Sequence, residues 1–250
     1  VEDIARYAIL SHTWEVDEPN YQDFHHPSSR GKQGYRKLEH FCNIAHEDYK
    51  VEFAWADTVC IDKSSSAELD ESIRSMFAWY RNAAICIAYV GQTTSLLDLA
   101  ADRWFTRGWT LQELLAPSRF KFYNKDWFPL THFWNDKIRE EDARKLGGGT
   151  HSLQFWLLGD AILKATGIEP RHFRDFNPGF EDPPLPERMR WVARRLTARA
   201  EDKSYCMMGI FGVSVLVAYG EGPERAFFRL FQAILDVACG RSWFLWAGKA

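Results

Sequence analysis

SSAELDESIRSMFAWYRNAAICIAYVG, residues 65–91, is the stretch that decides the fold. Ser65-Ser66-Ala67-Glu68 has the S-x-x-E form of a helix-capping box, and Ile73, Met76, Phe77 and Tyr80 supply the apolar stripe of the helix behind it. Ala84 to Val90 is then continuously apolar and closed by Gly91, the composition of a parallel strand covered on both faces. Upstream, Tyr7 to Leu10 reads as a short strand that runs into the loop Ser11-His12-Thr13-Trp14. After a loop with Pro19, Pro27, Gly31 and Gly34, the spacing of Leu38, Phe41, Cys42 and Ala45 is that of an amphipathic helix. Val51, Phe53 and Trp55 alternate, and Val59 to Ile61 continues the run, a strand interrupted or extended around Asp57. Downstream, a helix is expected from about Trp104 to Leu115, stopping before Pro117, and Phe120 and Phe122 alternate with polar residues as a further strand.

The first half therefore reads β-α-β-α-β-α-β, which calls for a flavodoxin-like parallel sheet with helices on both faces. Such sheets hold ligands at the carboxyl ends of their strands. In the second half, Gly147-Gly148-Gly149 is a flexible break, Pro178 to Pro186 is proline-rich, and helices are expected at 187–199 and 223–239. Gly220-Glu221-Gly222-Pro223 reads as a turn with proline at the first helical position. The expected organisation is one domain over 1–250, with an α/β core at 1–130 and a mostly helical C-terminal elaboration at 131–250.

Lysine plus arginine (31) nearly balances aspartate plus glutamate (34), so no overall positive field favours nucleic acid as a partner. Five scattered cysteines without a C-x-x-C spacing indicate neither a disulfide framework nor a metal site, and fit a reducing cytoplasm. Tyr205 to Gly220, the longest charge-free apolar run, is shorter than the roughly 20 residues that cross a bilayer and is expected to be buried. The chain opens on Val1 with no secretory signal, and excision from a longer protein is expected. Walker A and G-x-G-x-x-G patterns are absent from the sequence.

Three blocks carry a family resemblance. Tyr7-Ala8-Ile9-Leu10-Ser11-His12-Thr13-Trp14 is similar to Y-x-x-L-S-Y-x-W, with His12 where tyrosine is usual. Trp55 to Asp62, leading through Glu71, Met76 and Tyr80 to Ala84, resembles W-x-D-x-x-C-I-[DN] and its helix. Arg107-Gly108-Trp109-Thr110-Leu111-Gln112-Glu113 matches the R-x-W-T-x-Q-E block. Farther on, Glu201 to Tyr205 and Tyr219 to Gly222 look like a C-terminal signature. Together these resemble the fungal HET (heterokaryon incompatibility) domain. The resemblance implies a cytoplasmic cell-death effector that self-associates when clustered by fused receptor modules. The same pattern is similar to TIR domains, whose W-C-x-x-E helix serves NAD⁺ cleavage in catalytic members; here Thr110 replaces the cysteine.

That resemblance makes Glu113 the candidate catalytic residue and NAD⁺ or a related nucleotide the candidate substrate, with no cofactor. On a helix, Trp109 and Glu113 share one face a turn apart. Breaking the nicotinamide–ribose bond develops oxocarbenium character that a carboxylate stabilises, and the neutral leaving group needs no general acid. The bland alternative is a surface Glu113 that caps or pairs with Arg107 or Arg119. Ser11, His12 and Trp14 are expected at the first strand's end, the hydroxyl and imidazole donating to phosphate or ribose and the indole stacking or simply buried. Asp57 and Asp62 flank the second strand's end, where they hold ribose hydroxyls or, for Asp62 above all, order a turn. Arg107 and Trp109 complete the substrate-binding set. The alternative function is a non-catalytic adaptor that recruits a downstream executor through an aromatic surface.

Overall fold

The four apolar runs pair as parallel strands in the computed structural model, which describes residues 5–146, 149–179 and 182–237. Strand β1 (Tyr7–His12) lies between β2 (Phe53–Trp55) and β3 (Ile85–Tyr89), and β3 pairs with β4 (Phe120–Tyr123), giving the order β2-β1-β3-β4. The helices between them are α1 (Gln33–Glu47), α2 (Ser66–Asn82) and α3 (Thr110–Leu115). This is the expected flavodoxin-like alternation. Strands β1, β3 and β4 are buried on both faces because they alternate between two cores. Ala8, Leu10, Ile85 and Ile87 pack with Leu38, Phe41 and Ala45 of α1. Ile9, Cys86, Ala88, Phe120 and Phe122 face the other way, toward Ile73, Met76 and Tyr80 of α2 and Leu111 and Leu114 of α3.

Ser65 caps α2 as the sequence predicts, its hydroxyl accepting the Glu68 N–H at 3.3 Å, but Glu68 turns its own carboxylate to the Asp62 N–H at 2.8 Å. The capping box is thus half formed, and its second half braces the preceding turn.

In the first half of the chain, four local readings change. Ser11 and His12 belong to β1, paired with Ala88 and Tyr89, rather than to a loop. Val59–Ile61 is no strand: the Val59 and Cys60 N–H groups donate back to the Ala56 carbonyl, so the chain turns directly after Trp55 and Asp57 sits in that turn. The single helix from Trp104 to Leu115 is two pieces, a 3-10 turn (Arg103–Thr106) and α3, parted where Leu196 bridges to Arg107. Lys121 does not face solvent; its ammonium is buried on the Thr131 and Phe133 carbonyls and on Asp136, 3.1 Å away.

Beyond β4 the chain is helical: α4 (Glu140–Lys145), α5 (Gly149–Thr166), α6 (Pro170–Arg174), α7 (Leu185–Ala193), α8 (Asp202–Tyr205), α9 (Met208–Phe211) and α10 (Pro223–Val237). The helix expected at 187–199 stops at Ala193, because Leu196 leaves it to donate to the Thr106 carbonyl at 2.7 Å and accept from Gly108 N–H at 2.8 Å. Pro223 opens α10, and Gly220 and Gly222 make the preceding turn at φ of 93° and 86°, which suits glycine. Both donate to Glu201 Oε1. Gly147 and Gly148 of the expected break, Cys239 and the last two residues of the expected terminal helix lie outside the described residues. Leu158, Phe173, Trp191, Tyr205 and Leu230 join the same core as β1, β3 and β4.

Candidate active site

Glu113 owes its place to the break before α3. The 3-10 turn ends at Arg107 and Gly108, and α3 restarts from Trp109, whose carbonyl accepts the Glu113 N–H at 3.4 Å. This directs Glu113 inward, beneath the end of β1. Its Oε2 accepts the Ser11 hydroxyl at 2.5 Å, and Ser11 Oγ accepts the Trp104 indole N–H at 2.9 Å. Ser11, Trp104 and Glu113 are all buried. Burial first, then the Asp57 charge, pushes the Glu113 carboxyl up to about 8, against the pull of Ser11, Arg107 and Tyr80. At pH 7 it is therefore mostly protonated. The surface alternative, a cap or ion pair with Arg107 or Arg119, does not hold: Glu113 is 8% exposed.

A cavity of about 240 Å³ reaches Glu113 from the carboxyl ends of β1 and β2. That is below the ~300–1,000 Å³ typical of a pocket enclosing a drug-sized ligand. Ile61, Leu69, Ile73 and Met76 form its apolar side. Trp109, half-buried, lies beside Glu113 in its wall, and Arg107 adds a cation.

The first-strand residues take up different positions from one another. Ser11 is spent on Glu113 and does not line the cavity. His12 does, but its ring is buried between two acids, Nδ1 3.7 Å from Glu18 and Nε2 3.4 Å from Asp57. Burial, then the Lys37 charge, pushes its pKa down, so it is neutral at pH 7. Glu18 is itself paired with Lys37. Trp14 is 39% exposed, donates from Nε1 to both Asp57 oxygens at 3.2 and 3.1 Å, and has Lys63 Nζ 4.4 Å over its ring. One face of the indole is thus covered. Burial raises the Asp57 carboxyl, but His12, Lys63 and Trp14 outweigh it and hold the group low, so Asp57 is the anion of the site.

Asp62 stands outside the cavity. Its Oδ1 accepts from Ser64 N–H at 2.9 Å, Ser64 Oγ at 2.6 Å and Gln22 Nε2 at 2.5 Å, a turn-ordering role. The remaining wall comes from residues to which the sequence assigns no role. Leu196, Thr197 and Arg199 follow α7, Asp202 opens α8, and Tyr219 donates to Asp202 Oδ1 at 2.8 Å while Arg199 lies 3.9 Å over its ring. Asp202 is buried and its carboxyl is raised by that burial. Asp202 and Tyr219 both fall in the C-terminal signature, yet nothing in the spacing says that segments about a hundred residues away close over Glu113.

The family model for Heterokaryon incompatibility protein (HET) matches residues 7–100. The chain is also 38% identical over 244 residues to Vegetative incompatibility protein HET-E-1 of Podospora anserina, a match covering 92% of the chain. The chain belongs to the heterokaryon incompatibility (HET) family. It spans about 16% of that relative's length. No solved structure gives a significant match. The family-model match contains Ser11, His12, Trp14 and Asp57 of the HET domain but ends before Glu113; the pairwise match, covering 92% of the chain, extends past it. Among the described residues no helix is long and apolar enough to cross a membrane.

Proposed function

We propose that this HET domain is a cytoplasmic cell-death effector of vegetative incompatibility that hydrolyses the nicotinamide–ribose bond of NAD⁺, with Glu113 as its catalytic carboxylate. The observation that carries the reading is a buried acid in a cavity wall, cornered by a hydroxyl and flanked by an indole. The W-T-x-Q-E block that supplies it resembles the TIR helix of NAD⁺-cleaving members. Nicotinamide of NAD⁺ is cationic, so its arrival favours the Glu113 carboxylate and drives the proton to solvent. The glycosidic bond then breaks with its electron pair on nicotinamide, which leaves neutral. Glu113 stabilises the ribosyl cation, and water adds at the anomeric carbon with release of a proton.

The other residues follow from this placement. Ser11, held by Trp104, fixes the Glu113 rotamer rather than gripping phosphate. Trp109 offers a flat wall for the nicotinamide ring, Asp57 faces the ribose hydroxyls, and Arg107 and Arg199 answer the diphosphate. In the full-length protein, fused receptor modules would cluster the domain and raise its effective concentration. The adaptor reading draws on a different feature, the exposed Leu153, Trp156 and Leu163 on one face of α5.

The test is Glu113→Gln, which keeps shape and hydrogen bonding but cannot ionise. A folded variant that has lost on the order of 100-fold or more of NAD⁺ consumption, together with toxicity, is the expected result. Toxicity that persists in the variant without NAD⁺ loss supports the adaptor instead.

A further inference from the structure

A second cleft lies at the opposite end of the sheet, where α2 ends and the α3–β4 connection begins. Its volume is about 410 Å³, within the ~300–1,000 Å³ range of small-molecule sites. Four basic side chains line it, Arg81, Lys137, Arg139 and Arg174, against the two acids Asp142 and Asp175. Asp142 is already engaged by Lys145 at 2.8 Å. Burial pushes Lys137 down to about 7, so the excess of positive charge rests on the three arginines.

Its cations are incompletely satisfied. Arg81 donates one Nη2 bond to the Phe176 carbonyl at 2.7 Å, but its Nε is buried without a hydrogen-bond partner, and so is Arg174 Nε. Arg174 rests on the Phe155 ring at 3.9 Å, and burial pushes it down to about 10. Lys137 is buried on the Leu115 and Pro117 carbonyls at 3.1 and 2.6 Å with no carboxylate among its bonds. Buried charged N–H groups nearly always have partners, so Arg81 and Arg174 bring guanidinium groups with hydrogen-bonding capacity to spare to one cleft, a setting suited to an anion. Guanidinium forks match phosphate oxygens in geometry as well as charge.

We infer that this cleft binds a small molecule carrying clustered phosphate groups. The site is separate from the Glu113 cavity. Helix α2 spans the two, with Leu69, Ile73 and Met76 on the first and Arg81 in the second. A nucleoside triphosphate and an inositol polyphosphate share the recognised chemistry.

Isothermal titration calorimetry on the whole chain tests this, with tripolyphosphate, ATP and inositol hexakisphosphate as probes and sodium sulfate as the ionic-strength control. Saturable binding of tripolyphosphate at one site is expected, weakened about tenfold or more by Arg139→Gln and by Arg174→Gln. Arg139 is exposed, so its variant tests the site even where Arg174→Gln lowers stability. A much tighter ATP or inositol hexakisphosphate complex, equally sensitive to both substitutions, assigns the source of the phosphates and upholds the site. Absence of saturable binding overturns it. Binding untouched by both substitutions, or abolished instead by Arg107→Gln in the first cavity, overturns it equally.

Discussion

Glu113 is an acid whose ordinary ionisation is suppressed by its surroundings, and this has two measurable consequences. Burial raises its folded carboxyl to about 8, whereas an unfolded glutamate titrates near ~4.3. Between those values the folded chain binds the extra proton, so this group's contribution to stability is full at low pH and is lost as pH climbs toward 8. The amide introduced by Glu113→Gln resembles the protonated acid at every pH. Thermal melts of wild type and this variant should coincide near pH 4 and diverge above it, the variant being more stable at pH 8.5 by on the order of a few kcal/mol. His12, held low by burial, titrates in both proteins and cancels in the difference. A gap that stays constant from pH 5 to 9 would mean that Glu113 is not a buried neutral acid. For the proposed catalysis the sign reverses: with the carboxylate as the working form, kcat/KM for NAD⁺ should rise with pH through about 8. At this scale the sequence is partly legible. The motif names Glu113, Trp109 and Asp57, and the strand-end rule brings them near Ser11. It does not tell that Ser11 serves Glu113 rather than substrate, because that depends on an indole from residue 104.

Among the elements, the 3-10 turn and α3 show where periodicity reaches its limit. Trp104 to Leu115 carries an apolar pattern that fits one helix, yet a bridge from Leu196 interrupts it at Arg107 and Gly108. Arg195 locks the break by donating from Nη1 to the Arg107 carbonyl at 2.8 Å and Thr110 Oγ1 at 3.0 Å. Such a break is a tertiary event and leaves little local trace beyond Gly108 itself. That glycine is required by contact: a Cβ there would stand 2.5 Å from Thr197 Cγ2 and 3.1 Å from Cys206 Sγ. Gly108→Ala should cost roughly 1–3 kcal/mol, and should impair NAD⁺ turnover because Thr197 is forced out of the cavity wall. Adding Thr197→Ser removes the clashing methyl and should restore much of the melting temperature. Full additivity of the two substitutions in a double-mutant cycle would show that the two residues are not coupled. Residues 65–91 are legible for a different reason. Helix and strand there are each set by their own residues, Ser65 by capping and Ala84–Val90 by uniform apolarity, so no distant segment redraws them.

For the molecule as a whole, the helices and connections beyond β4 close the site as well as shield the sheet. Their Leu158, Trp191, Tyr205 and Leu230 share a core with Ile9, Cys86 and Phe120, and Arg199, Asp202 and Tyr219 line the cavity over Glu113. A chain ended after residue 130 would expose that core and open the pocket. It should lose cooperative unfolding and NAD⁺ turnover together, and a folded, active 1–130 fragment would refute this division of labour. Self-association belongs to the same scale. Fusing the domain to a defined oligomeriser should raise its activity with assembly size, as light scattering and NAD⁺ consumption on the same samples would show. Equal toxicity from a strictly monomeric form would remove clustering from the account. The central claim, that the Glu113 cavity cuts NAD⁺, is tested most directly by chromatography of NAD⁺ incubated with the folded, clustered wild-type domain. Nicotinamide and ADP-ribose should appear in equal amounts as NAD⁺ disappears, and intact NAD⁺ after prolonged incubation would contradict it.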